Sequence, residues 1–132
     1  MTENFIQATP FFTVRSIADS VAFYCDRLGF AVYVQDKAYA YLGRGKVGIR
    51  LLIHSAEDRD IAPGTAYIDV RDVDSIFRDH GASWADLPDG AVHGPIDQNY
   101  NQRELFIRDP DGNLIMFGQG IGPNEGQWDG RE

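Results

Sequence analysis

Few side chains in this sequence are equipped for chemistry. Histidine occurs three times, as His54, His80 and His93, and cysteine once, as Cys25. No His-x-His or His-Glu-x-x-His run is present, so the close spacings that set two imidazoles on one metal ion are missing. Cys25 lies among apolar residues at helical spacing, where a thiol behaves as a small hydrophobe and not as a nucleophile. His80 falls at the end of a helical stretch, where the helix dipole favours a cation. His93 sits in a turn-rich segment and reads as exposed. His54 shares a strand face with Arg50. An imidazole beside a permanent guanidinium could serve as acid or base toward a bound anion, or stand at the rim of a pocket with no catalytic role. No Ser-His-Asp set is visible. Gly43-Arg44-Gly45 joins strands and opens no helix, so it is not a phosphate loop.

The aromatic residues say more. There are eight Phe, six Tyr and two Trp. Phe12, Phe23 and Phe77 read as core. Strand alternation sets Phe11 with Thr13 on one face, and Tyr39 with Tyr41 on another. The charge balance narrows what such faces could meet. Twelve Lys and Arg against twenty Asp and Glu give a formal net charge of −8. Nucleic acid and anionic membrane are therefore poor partners, whereas a cationic small molecule would be attracted. The same acidity also serves solubility.

Those side chains need a scaffold, and 132 residues suit one domain. Hydrophobic residues make up 43% and charged residues 24%, as in soluble globular chains. No apolar run approaches the roughly 18 residues of a membrane span. The opening Met1-Thr2-Glu3-Asn4 is not basic, and the single cysteine allows no intrachain disulfide framework, so a cytoplasmic protein is expected.

Element by element, the pattern predicts a strand at 11–14 and a helix capped by Ser16 and stopped by Gly29. Strands follow at 30–35, 38–42 and 47–54, with a turn at 43–45. The polar stretch 55–64, broken by Ala62-Pro63-Gly64, reads as a connection. A second series then starts with a strand at 65–70 and a helix that Asp72 caps and Gly81 stops. Val73, Ile76, Phe77 and His80 form its inner face. A short strand is expected at 83–87 and a long loop at 88–101, near whatever is bound. Strands at 103–108 and 113–117 enclose an Asp109-Pro110-Asp111-Gly112 turn, and a Gly-rich flexible tail covers 119–132. Val14-Arg15-Ser16-Ile17 lines up with Val70-Arg71-Asp72-Val73, so the chain repeats a strand-turn-helix junction.

At this point the sequence resembles a known family. Ala8-Thr9-Pro10, Val14-Arg15-Ser16, and Ala22-Phe23-Tyr24 through Arg27-Leu28-Gly29-Phe30 look like the opening module of bleomycin-resistance proteins. The run from Arg103 to Ile115, with Asp109-Pro110-Asp111-Gly112 at its centre, is similar to their closing hairpin. The likeness covers about 8–119 and points to the vicinal-oxygen-chelate superfamily of glyoxalases, bleomycin-resistance proteins and dioxygenases. It implies an α+β fold of two β-α-β-β-β modules, 8–54 and 65–118, each curling a sheet around a concavity. It also implies a homodimer, often with pockets where subunits meet. Enzymes of the superfamily place metal ligands at positions matched here by Thr9, Arg50, Thr65 and Met116. Divalent ions want imidazole and carboxylate, so no metal and no other cofactor is expected.

The resemblance further implies which residues face the concavity. In the first module the expected ligand contacts are Phe11, Tyr39, Tyr41, Arg50 and His54; in the second they are Tyr67, Asp69, Phe106 and Met116. Asp69 could hold a ligand's cationic group or pair with Arg50 across the pocket. The expected function is metal-independent binding and sequestration of a bleomycin-type or similar cationic, aromatic compound, with no catalytic residue. The alternative is a superfamily enzyme in which Arg50 and His54 act on an unknown small substrate.

Overall fold

Ser16 has extended backbone angles, and its hydroxyl accepts from the Asp19 amide, which starts helix α1 (Ile17–Leu28). Gly29 ends it at φ 74°, a left-handed angle that costs a glycine nothing. The computed structural model describes residues 2–54 and 62–122. Positions 55–61 of the expected connection and 123–132 of the expected tail lie outside the described residues.

Strand β1 (Phe11–Val14) precedes α1, and β2 (Ala31–Gln35), β3 (Tyr39–Arg44) and β4 (Val47–Ile53) follow it. The second series is β5 (Thr65–Asp69), α2 (Val73–His80), a 3-10 helix at Gly81–Trp84, β6 (Val92–Asp97), β7 (Gln102–Arg108) and β8 (Leu114–Gly120). The strands form a four-stranded sheet ordered β1-β4-β3-β2 and another ordered β5-β8-β7-β6. The first strand of each sheet pairs in parallel with the last, and the other pairs are antiparallel.

The repeat extends to the register. Arg50 lies between Phe11 and Tyr41 in the first sheet, as Met116 lies between Tyr67 and Phe106 in the second. One step along, Leu52 faces Tyr39 and Gly118 faces Glu104. Tyr39 and Glu104 are thus equivalent positions.

Alternation decides which faces are buried. Phe12, Val14, Ile49 and Leu51 of the first sheet and Leu105, Ile107 and Ile115 of the second all turn toward the helices. They share one core with Tyr24 and Leu28 of α1 and Val73 and Ile76 of α2. The modules are also pinned by polar contacts. Tyr24 Oη donates to Asp109 Oδ2 at 2.8 Å in the interior, and Asn113 Nδ2 donates to the Thr13 carbonyl at 3.3 Å. Arg15 Nε meets Asp111 Oδ1 at 2.9 Å. The Asp109–Gly112 turn is therefore both a hairpin and a latch onto the first module.

Several expectations need correction. The segment 83–87 is not a strand: α2 tightens into the 3-10 helix, and buried Trp84 donates from Nε1 to the Arg27 carbonyl at 2.9 Å. Gly81 is right-handed at φ −58°, so it continues the turn and does not stop it. The expected loop 88–101 contains β6. A register shift between His93 and Ile96 carries Pro95, which has no amide to give, through the sheet's edge strand. Phe77 is 46% exposed and not core, packing its ring edge-on with Trp84. Gly43 lies inside β3, so the hairpin turns at Gly45-Lys46. Residues 119–120, expected in the tail, complete β8.

Candidate ligand-binding site

The faces turned away from the helices hold the candidate residues. On the first sheet, Arg50 organises its surroundings. Its Nε donates to Thr9 Oγ1 at 2.8 Å, and its Nη1 donates to Tyr39 Oη. Its guanidinium carbon stands 4.0 Å from the centre of the Tyr41 ring, a cation–π contact. Phe11 lies 6.4 Å from Tyr39, and Tyr33 packs edge-on against Tyr41 at 5.2 Å. Register explains the grouping: Phe11, Arg50 and Tyr41 are neighbours across adjacent strands. Phe11 remains 57% exposed, so the cluster offers ring surface to an incoming molecule. His54 follows the last residue of β4, and its amide donates to the Val14 carbonyl.

On the second sheet, Tyr67, Met116 and Phe106 lie side by side across β5, β8 and β7. His93 stacks on Phe106 with centroids 5.7 Å apart and planes 6° from parallel. Beneath them is a residue the sequence reading missed. Glu104 is 1% exposed, yet it lies on this outer face. Tyr67 Oη donates to its Oε2 at 2.8 Å, and Tyr100 Oη to its Oε1 at 2.6 Å. The Tyr67 hydroxyl also lies 3.0 Å from Gln102 Oε1. Gly118 makes this possible: a Cβ there would sit 1.8 Å from the Tyr67 oxygen. Burial first, then the hydrogen bond and charge of Glu104, then Asp69, push the Tyr67 hydroxyl well above its ordinary range. The signal for Glu104 was its alternation with Phe106 on β7; its burial had no signal in sequence.

Asp69 does not pair with Arg50. It lines a cleft of about 450 Å³ with Leu28, Phe30, Arg44 and Ile76, and burial holds its carboxyl above the usual range. No hydrogen bond or ring contact among the described residues links the Arg50 cluster to the Glu104 cluster. Phe11, Tyr39, Tyr41 and Arg50 thus gather on the first sheet and Tyr67, Phe106 and Met116 on the second, while Asp69 lines the cleft.

The superfamily's metal positions can be tested against this geometry. Arg50 occupies one of them with a permanent cation already held by Thr9 and Tyr39. The register sets Phe11 beside Arg50 and Tyr67 beside Met116, and neither ring offers the imidazole or carboxylate a divalent ion needs. Thr65 contributes at most a hydroxyl. Among the described residues, no three His, Cys, Asp or Glu side chains converge as a metal site. The residues present do not fit a metal.

Comparison with known proteins follows the same lines. The chain is 29% identical to a bleomycin resistance protein of Geobacillus stearothermophilus over 135 residues, covering 88% of this chain and 98% of the relative. Its fold matches a crystal structure of a bleomycin-binding protein complexed with bleomycin at 25% identity and a TM-score of 0.72, covering 86% of this chain and 98% of the other. It also matches the bleomycin-binding protein of bleomycin-producing Streptomyces verticillus, complexed with copper(II)-bleomycin, at 25% identity and a TM-score of 0.70. That match covers 92% of this chain and all (100%) of the other. The sequence profile of the Glyoxalase/Bleomycin resistance protein/Dioxygenase superfamily spans residues 6–117, taking in both modules and both aromatic faces. With the paired β-α-β-β-β halves and their matching register, this makes the chain a member of that superfamily.

Proposed function

We propose that this chain binds and sequesters a small organic molecule, a bleomycin-type antibiotic or a similar cationic, aromatic compound, without metal and without breaking a bond. The observation that carries the reading is the pair of outer faces, each with exposed aromatic side chains gathered around a charged group. Such faces suit flat rings by stacking and cations by ring and carboxylate. Relatives that bind bleomycin with the same fold support it.

The working form proposed is a cytoplasmic homodimer. Val32, Tyr33 and Val34 of the edge strand β2 are all exposed, as are Phe5 and Ile6 ahead of β1. An uncovered apolar edge of this kind favours pairing with a second copy. Among the described residues no helix is long and apolar enough to cross a membrane.

Calorimetry with a bleomycin-type compound, on metal-stripped and zinc-loaded samples, tests the reading. Saturable binding near one ligand per subunit in the stripped sample, with the ligand recovered chemically unchanged, is expected. A requirement for zinc would overturn the metal-independent part of the reading, and altered ligand after incubation would show catalysis instead. No heat in either sample would remove this ligand class.

A further inference from the structure

Glu104 is a carboxylate taken out of water, and none of the ion pairs among the described residues includes it. Each oxygen instead accepts a tyrosine hydroxyl. Those hydroxyls belong to side chains that are 42% and 52% exposed, Tyr67 and Tyr100. A ligand arriving at this face therefore meets ring surface, with a carboxylate behind it. The oxygens are already engaged and nearly inaccessible, so an incoming N–H has little to bond. A cation that needs no acceptor loses nothing by this arrangement. Its water is weakly held, and it gains from the ring quadrupoles and from a charge in a medium of low polarisability.

We infer that Tyr67, Tyr100 and Glu104 form a receptor for a peralkylated cation, a quaternary ammonium, and that this face discriminates it from a primary ammonium and from a neutral group of the same shape. The inference rests on the binding function proposed above and names the group that the second module recognises.

Three small probes separate the contributions: choline, its uncharged carbon analogue 3,3-dimethylbutan-1-ol, and ethanolamine. Proton NMR titration reads the methyl resonances of the first two, which ring currents move upfield on binding, and the methylene resonances of ethanolamine. Choline is expected to bind at least about ten-fold more tightly than either comparator. Glu104→Gln keeps the shape and is expected to remove that preference while leaving 3,3-dimethylbutan-1-ol unchanged. Tyr100→Leu, at an exposed connection, is expected to weaken choline as well. Tyr100→Phe keeps the ring but frees one carboxylate oxygen, so it is expected to shift selectivity toward ethanolamine, which a purely structural role for the hydroxyl would not do. Equal binding of the three probes, or no saturable choline binding, overturns the inference. A parallel titration with a bleomycin-type compound keeps the two ideas apart. If that compound binds wild type and Glu104→Gln alike and choline shows no preference, the receptor fails and the sequestration reading stands. If choline is discriminated and the bleomycin-type compound is not bound, the receptor stands and that ligand is excluded.

Discussion

His80 shows how packing against the other module can reverse a residue's behaviour. Its position at the end of α2 suggested a comfortable cation. In the fold, its Nε2 lies 3.1 Å from Arg44 Nη1, which also donates to the Leu28 carbonyl. Burial first, and then Arg44, hold the imidazole below its ordinary range, while Asp79 pulls weakly the other way. The unfolded chain therefore takes up this proton at a higher pH than the folded one. Stability is expected to fall as pH drops through the ordinary histidine range, roughly from pH 7.5 to 5.5. Thermal melts across that window should show the decline, and His80→Gln should flatten it. The sequence could place His80 on its helix because helical period is local. It could not place Arg44 beside it, because that contact joins a hairpin of the first module to a helix of the second. Glu104 was hidden for the same reason. Alternation put it on the outer face with Phe106, but its burial comes from Tyr67 and Tyr100, which are distant in sequence or in a segment read as loop.

At the scale of elements, local grammar was legible where capping and turn chemistry set it. Ser16, Gly29 and Asp72 bound their helices as expected, and Asp109-Pro110-Asp111-Gly112 turns as its residue types require. It failed where tertiary packing overrode it, as at Trp84 and around Pro95. The latch between α1 and the last hairpin offers a direct test. Buried Asp109 accepts from Tyr24 and from the amide and side chain of Asn113. Removing the hydroxyl in Tyr24→Phe leaves that carboxyl one donor short in the interior. A loss of about 1–3 kcal/mol is expected in urea unfolding. Gly118→Ala should act differently. A Cβ at that position collides with the Tyr67 oxygen and must swing the ring off Glu104. Choline binding should fall at least as far as in Glu104→Gln, although β8 itself stays paired.

The described residues form two copies of one supersecondary unit sharing a core, and the repetition, though not the shared core, was visible in the repeated junction at Val14 and Val70. Backbone pairing follows the repeat closely, since register is fixed by the alternation of buried and exposed residues. Assembly is the scale at which sequence says least and exposed surface says most. Val32 and Val34 on β2 stay uncovered in the single chain. Sedimentation equilibrium is expected to give twice the chain mass, and Val32→Lys with Val34→Lys to give the single-chain mass with the fold retained. Wild type sedimenting as a monomer would leave the edge strand without the proposed partner.

The two halves have come to carry opposite charges, each at a position that is neutral in the other. The first half carries a guanidinium at Arg50 where the second has Met116; the second carries a carboxylate at Glu104 where the first has Tyr39. A faithful repeat would be indifferent to which way round a guest lay. This one has a compass: an elongated guest reaching both kinds of face can seat its positive head on the second half's surface only, and turned end for end it would set like against like.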